Sequence, residues 1–208
     1  MIRVRLTYKK GISLKYTGHL DLHRVWERTL RRAQLPLAYS QGFHPQPRIQ
    51  QACPLPLGFT SESEMLDIWL NDELTIEAIT VALLPALHPG IEITHIESIP
   101  LNAPPLQTIV ATSDYRVQFN EPQGTPDHEK ISWFLAQPTL MRERRGKPYD
   151  LRPLVHELHL VKEPQPGLLM RLSVLPGATG RPEEVLDVLG IDINSVQVIR
   201  TALGFLQQ

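Results

Sequence analysis

Apolar and polar positions alternate along residues 2–8, Ile-Arg-Val-Arg-Leu-Thr-Tyr, which is the pattern of a strand with one buried and one wet face. Arg3 and Arg5 fall on the wet face. Lys9-Lys10-Gly11 turns the chain, and residues 12–16 are expected to continue or pair with the strand. The period then changes. Leu22, Val25, Trp26, Thr29, Leu30 and Ala33 stand at i, i+3, i+4, i+7, i+8 and i+11, one face of an α-helix over about residues 18–34. Gly18 fits its start, Asp21 suits the positive end of its dipole, and Pro36 cannot continue it. Residues 48–53 read as a short strand and 64–70 as another. Residues 75–87 are helical in spacing until His88-Pro89-Gly90, and 91–99 alternate cleanly. The first hundred residues therefore predict β-α-β-β-α-β.

Residues 101–106, Leu-Asn-Ala-Pro-Pro-Leu, are the best linker candidate, and the same order of elements recurs after them. Residues 113–119 predict a strand. Residues 126–136 predict a helix with Thr125 as cap and Asp127 and Glu129 in its first turn. Residues 138–145 and 150–161 are strand-like, 168–175 are a strand, 182–189 a helix entered by proline, and 196–205 a closing strand. The expectation is an α+β protein of two tandem ferredoxin-like units with antiparallel sheets, residues 1–100 and 113–208, joined by a linker over 101–112. No residue-level repeat connects the halves.

The charge distribution sharpens this picture. The 208 residues carry a formal net charge of −1, yet residues 1–60 hold ten Lys/Arg against Asp21 and Glu27, so they carry +8 and the remainder −9. Such asymmetry points to a basic binding face on an otherwise acidic body. A single cysteine, Cys53, excludes an internal disulfide and a Cys₄ zinc site. A reducing cytoplasm suits that composition. No apolar run approaches the ~18 residues of a membrane span, so no membrane role is expected.

On the first helix Asp21, Arg24, Arg28 and Arg31 form a stripe nearly opposite the apolar face, with Glu27 placed to pair with Arg31. Arg24, Arg28 and Arg32 keep most of their charge. A solvated face accounts for such a stripe equally simply, but the loop that follows adds chemistry. It reads Tyr39-Ser40-Gln41-Gly42-Phe43-His44-Pro45-Gln46-Pro47-Arg48. Gly42 allows close backbone approach, Tyr39 and Phe43 offer stacking faces, and Arg48 offers a planar phosphate fork. Aromatics interleaved with arginine suit single-stranded nucleic acid. Arg144, Arg145, Lys147 and Arg152 lie in a second basic knot, read as an exposed hairpin in which Asp150 pairs with Arg152 and Tyr149 is free to stack. His19 and His23, spaced i, i+4, with His44 as a third ligand, form a weak metal constellation, and Cys53 a weak nucleophile. No cofactor is expected.

The run His19-Leu20-Asp21, Arg24, Glu27-Arg28, Leu30-Arg31-Arg32-Ala33, Leu35-Pro36, Tyr39-Ser40, Gly42-Phe43, Pro45, Pro47 and Pro54-Leu55-Pro56-Leu57-Gly58 resembles the radical-SAM-linked domain family of unknown function. The similarity is dense over residues 1–70 and thinner beyond, where Asp150-Leu151-Arg152-Pro153 resembles the family's second signature. It implies a partner elsewhere, a radical SAM protein or a ribonuclease E/G-type protein, and an RNA setting. It implies no established activity. The expected function is therefore a non-catalytic RNA-binding accessory domain, the RNA being ribosomal or transfer RNA. The alternatives are a protein–protein adaptor on a radical SAM enzyme and a small metal- or Cys-dependent enzyme.

Overall fold

Strand β1 (Ile2–Lys10) forms where the alternation predicts it, and its even-numbered residues Val4, Leu6 and Tyr8 point into the core. The computed structural model describes residues 1–119, 126–161 and 166–206. By its internal contacts the chain divides into two units, Met1–Ile109 and Val110–Gln208. Both mix helices with antiparallel sheet, and strands outnumber helices among the described residues.

In the first unit β1 is followed by α1 (His19–Arg32), β2 (Ile49–Gln51), β3 (Thr60–Leu70), α2 (Ile76–Leu83) and β4 (Ile91–Ile99). The sheet runs in the order β2-β3-β1-β4 with every neighbouring pair antiparallel. Each crossover helix returns the chain to a strand parallel to the one it left, so both helices land on one face. Their buried residues Leu22, Trp26, Leu30, Ile79 and Leu83 meet Val4, Leu6, Tyr8, Leu66 and Ile68 there. Trp26 and Tyr8 pack edge to face at 4.8 Å between centroids. Such a pair contributes about 0.5–1.5 kcal/mol beyond its buried area. Helix α1 buries the stripe read from its spacing, and it ends where Gln34 takes a left-handed φ of 54°. Residues 12–16 do not extend the strand. A 3₁₀ turn over Ile12–Leu14 places Leu14 in the core instead.

In the second unit a short helix, α3 (Leu106–Ile109) having closed the first, the order is β5 (Val110–Phe119), α4 (His128–Ala136), β6 (Met141–Arg144), β7 (Lys147–Asp150), β8 (Val155–Val161), β9 (Gly167–Leu175), β10 (Ala178–Thr179), α5 (Pro182–Val188) and β11 (Val196–Phe205). Its sheet order is β11-β5-β9-β8, again antiparallel throughout, with β10 on the edge of β9. Strands β6 and β7 form a separate hairpin inserted between α4 and β8. The strand-like stretches read at 138–145 and 150–161 are thus three strands. The turn at Arg145 (φ 53°) and Gly146 (φ 74°) divides the first two. Two consecutive positive φ angles give a turn whose twist matches the hairpin. Asp127 caps α4 by accepting from the Lys130 N–H. Thr125, the expected cap, lies outside the described residues.

Candidate nucleic-acid interface

The sequence-predicted residues occupy two different faces of the first unit. Helix α1 covers one side of the sheet, and Arg24, Arg28 and Arg31 project from it to solvent. Arg24 meets Asp21 at 3.0 Å, an exposed pair that contributes little. Arg28 and Arg31 meet no carboxylate among the described residues. Glu27 does not pair with Arg31. Its carboxylate turns to His23 at 3.8 Å on the preceding turn. Arg32 donates to the carbonyl of Ala86, so it fastens α1 to the segment after α2 instead of facing a ligand.

Arg48 belongs to the opposite face. The register pairs Arg3 with Trp69 across β1 and β3, and Trp69 N–H donates to the carbonyl of Arg48 at 3.2 Å. Strands β1 and β3 and the residue entering β2 thereby set Arg3, Trp69 and Arg48 in one row on the sheet face away from the helices. Both guanidinium groups lie over the indole, 4.9 Å and 4.8 Å from its centroid. The next row is Arg5, Asp67 and Gln50. The expectation that Arg3 and Arg5 look out on water is wrong. Asp67 is fully buried and accepts from both: from Arg3 Nε at 3.0 Å and Nη2 at 2.6 Å, and from Arg5 Nε at 2.8 Å and Nη2 at 2.9 Å. Arg3 also donates to the carbonyls of Ala103 and Pro104, at 2.6 Å and 2.9 Å. The stretch 101–106 thus lies over this row, and Gln50 Oε1 accepts from the Leu106 N–H at 2.9 Å.

The loop between the faces is built, not slack. Ser40 N–H donates to the Gln46 carbonyl and Arg48 N–H to that of Ala38, both at 2.8 Å, while the Ser40 hydroxyl accepts from Gln46 N–H at 3.0 Å. Tyr39 and Pro47 form an isolated bridge. At the tip Gly42 has φ 131°, which a side chain would strain, and Phe43 is fully exposed. Tyr39 is exposed over about two fifths of its surface (43%).

The second basic knot is largely consumed internally. Arg144 binds Glu184 at 2.7 Å and stacks over Tyr149, whose hydroxyl donates to the same carboxylate. Arg142 pairs with Asp187. Tyr149 is therefore not free to stack on a ligand, because it helps to clamp the hairpin to α5. Arg152 does not pair with Asp150. Its guanidinium holds the carbonyls of Leu135 and Val155, while Asp150 accepts from the N–H groups of Leu140 and Arg152. Arg145 and Lys147, at the turn, remain exposed and reach no carboxylate among the described residues.

His19 opens α1, His23 faces Glu27, and His44 sits in the exposed loop. No three His, Cys, Asp or Glu side chains converge to hold a metal among the described residues. The sequence reading assigned nothing to Trp69, Asp67 or Gln50. One signal was present: Asp67 is the only charged residue between apolar neighbours in Met65-Leu66-Asp67-Ile68-Trp69-Leu70, and a strand that buries a carboxylate needs a cationic partner on its neighbour.

Residues 3–182 match the model of a family described as an uncharacterized protein conserved in bacteria (DUF2344). The chain belongs to that family. The DUF2344 match covers all of the first unit beyond Ile2 and the second as far as the start of α5. No curated protein matches the chain. Among solved structures, a chain of a Cbf5–Nop10–Gar1 complex superposes with a TM-score of 0.50 at 8% identity. It covers 98% of this chain and 49% of its own, so the DUF2344 chain spans about half the length of that structure. At this identity the likeness is one of fold. An unknown protein from Galdieria sulphuraria aligns at 14% identity over 99% of both chains, with a TM-score of 0.29. No helix among the described residues is long and apolar enough to cross a membrane.

Proposed function

We propose that this protein is a non-catalytic RNA-binding accessory module built from two tandem ferredoxin-like units. The strand orders β2-β3-β1-β4 and β11-β5-β9-β8 support the fold reading, because each places the first and third strands of a βαββαβ unit at the centre. One observation carries the functional reading. Arg28 and Arg31 stand one turn apart on α1 with no carboxylate beside them among the described residues, within the first sixty residues, which carry the net +8. Unneutralised guanidinium groups on a rigid helix suit a phosphate backbone. Tyr39 and Phe43 supply stacking on the adjoining loop, with Arg24 recruited by releasing Asp21, while Arg48 lies on the opposite sheet face over Trp69. Arg145 and Lys147 add contacts from the hairpin tip. Arg32, Arg144 and Arg152 hold the structure and leave the interface. The resemblance to the radical-SAM-linked family supplies the setting: a cytoplasmic module that presents ribosomal or transfer RNA to a radical SAM enzyme or a ribonuclease E/G-type protein.

The test is RNA retention by Arg28→Glu/Arg31→Glu. Both positions are exposed, so the melting temperature should stay within about 2 °C while affinity falls at least about tenfold. Unchanged affinity would overturn the reading. A second reading, an adaptor docking on a protein partner, is favoured by the exposed Tyr16, Leu20 and Leu57 near the start of α1. Leu57 Cδ2 would lie 3.8 Å from a Cβ built on Gly18, so this apolar surface adjoins the helix entry. Binding through that surface would respond little to salt.

A further inference from the structure

The face opposite the helices contains a cleft of about 440 Å³ lined by Arg3, Arg48, Gln50, Trp69, Leu101 and Pro105 among others. Arg3 and Arg5 share the fully buried carboxylate of Asp67, and Glu97 stands across from Arg5 in the β1–β4 register, so the charge of this inner row is met within the fold. The carbonyls of Ala103 and Pro104 add their dipoles. Arg48 supplies a cation beside it. Its Nη1 lies 3.8 Å from Met1 Sδ, and it meets no carboxylate among the described residues. Gln50 is oriented by the Leu106 N–H on its oxygen, and its amide nitrogen donates to no described residue.

These donors sit beside surfaces of a different kind. The Trp69 indole holds the Arg48 guanidinium in place, which prepares it for stacking as well as for a fork. Ile49, Leu101 and Pro105 give the cleft apolar walls. A bare anion would satisfy the charge and leave those walls wet. An uncharged ring would do the reverse. The volume lies within the range of sites that enclose a small organic ligand, about 300–1,000 Å³.

We infer that the Arg3–Trp69–Arg48 cleft is a binding site for a single phosphorylated nucleotide unit. Its phosphate lies against Arg48 and the Gln50 amide, and its base lies against Arg48, Leu101 and Pro105. This goes beyond the RNA reading, because the cleft is on the opposite side of the sheet from the α1 stripe and recognises one unit instead of a length of backbone. Free nucleotide and the 5′-phosphorylated end of an RNA offer the same chemistry.

The experiment uses the full chain with its tryptophan indole N–H signals resolved by NMR and that of Trp69 assigned by Trp69→Phe. Adenosine 5′-monophosphate should shift the Trp69 signal saturably, with adenosine and inorganic phosphate each binding at least about tenfold more weakly. Arg48→Ala, at an exposed position, should weaken the nucleotide at least about tenfold while the other indole signals stay in place. A 5′-phosphorylated oligoribonucleotide that displaces the nucleotide, where the 5′-hydroxyl form does not, assigns the RNA end. If neither displaces it, the free nucleotide is the ligand. Phosphate binding as tightly as the nucleotide overturns the inference, and so does a Trp69 signal that none of the three moves. RNA retained by a protein whose Trp69 is silent removes the cleft and keeps the RNA reading. A nucleotide bound by a protein that retains no RNA does the opposite.

Discussion

Replacing Asp67 by Asn tests the strongest energetic statement in the first unit. Asp67 is fully buried, and four charge-assisted hydrogen bonds from Arg3 and Arg5 reach it at 2.6–3.0 Å. Asparagine keeps the shape and removes the charge. One of its polar atoms becomes a donor that faces guanidinium donors, and the buried Arg3 loses its counter-ion. Removing one partner of a buried pair costs about 3–5 kcal/mol, most of it the charge left behind. In a unit of this size each kcal/mol moves the midpoint by about 4–8 °C, so a loss of at least about 12 °C is expected. Trp26 and Trp69 lie in the first unit and Trp133 in the second, so thermal unfolding followed by tryptophan fluorescence in a Trp133→Phe background reports the first unit alone. Glu92→Gln is the control. It breaks the exposed Lys9 pair, 2.8 Å long, and should leave the midpoint almost unchanged. A shift below about 3 °C for Asp67→Asn would refute the idea that Arg3 depends on this carboxylate.

Gly90→Ala should destabilise the first unit by about 1–3 kcal/mol in urea unfolding, since its Cβ would fall on Ser13 Oγ and 2.8 Å from Leu14 Cγ, and a wild-type midpoint would contradict this packing. Glu184→Gln should loosen the β6–β7 hairpin, seen as faster amide exchange over residues 141–150 with the β5–β9 amides unchanged; equal protection in both proteins would show that the Arg144–Tyr149–Glu184 knot holds nothing. The Lys9 ammonium is held above the ordinary lysine pKa first by its hydrogen bond to Glu92 and then by the same carboxylate's charge. A raised folded pKa means that this contribution is complete at neutral pH and is lost only as pH rises through that value, so Glu92→Gln should lower the Lys9 titration midpoint in NMR, and an unmoved midpoint would count against the pair.

The sequence reading succeeded where one period ran long enough to be unambiguous. Leu22, Trp26, Thr29 and Leu30 are buried as their spacing requires, and β11 occupies the residues read as the closing strand. It failed where a polar residue stood on a face that the tertiary structure covers. Arg3 and Arg5 look like a wet edge because alternation says which residues share a face, not whether that face stays open. Burial came from Asp67, 64 residues from Arg3 and 62 from Arg5, and from the carbonyls of Ala103 and Pro104 in what reads as a linker. The site was legible in the same uneven way. Arg28, Arg31 and Phe43 are exposed as expected, whereas Arg32, Arg144 and Arg152 are bound to groups that no local spacing reveals. Arginine content marks the surface where charge collects, and only the fold separates free guanidinium groups from structural ones.

The most direct test of the RNA reading is the salt dependence of binding to a single-stranded RNA. Arg28 and Arg31, with Arg24 once Asp21 releases it, meet phosphates, and at about 0.7 per contact these three give a log–log slope near −2, rising toward about −3.5 if Arg145 and Lys147 also engage. Arg28→Glu/Arg31→Glu should reduce the magnitude of that slope by more than 1. Affinity that is indifferent to salt, or a slope the double variant leaves untouched, would contradict the account.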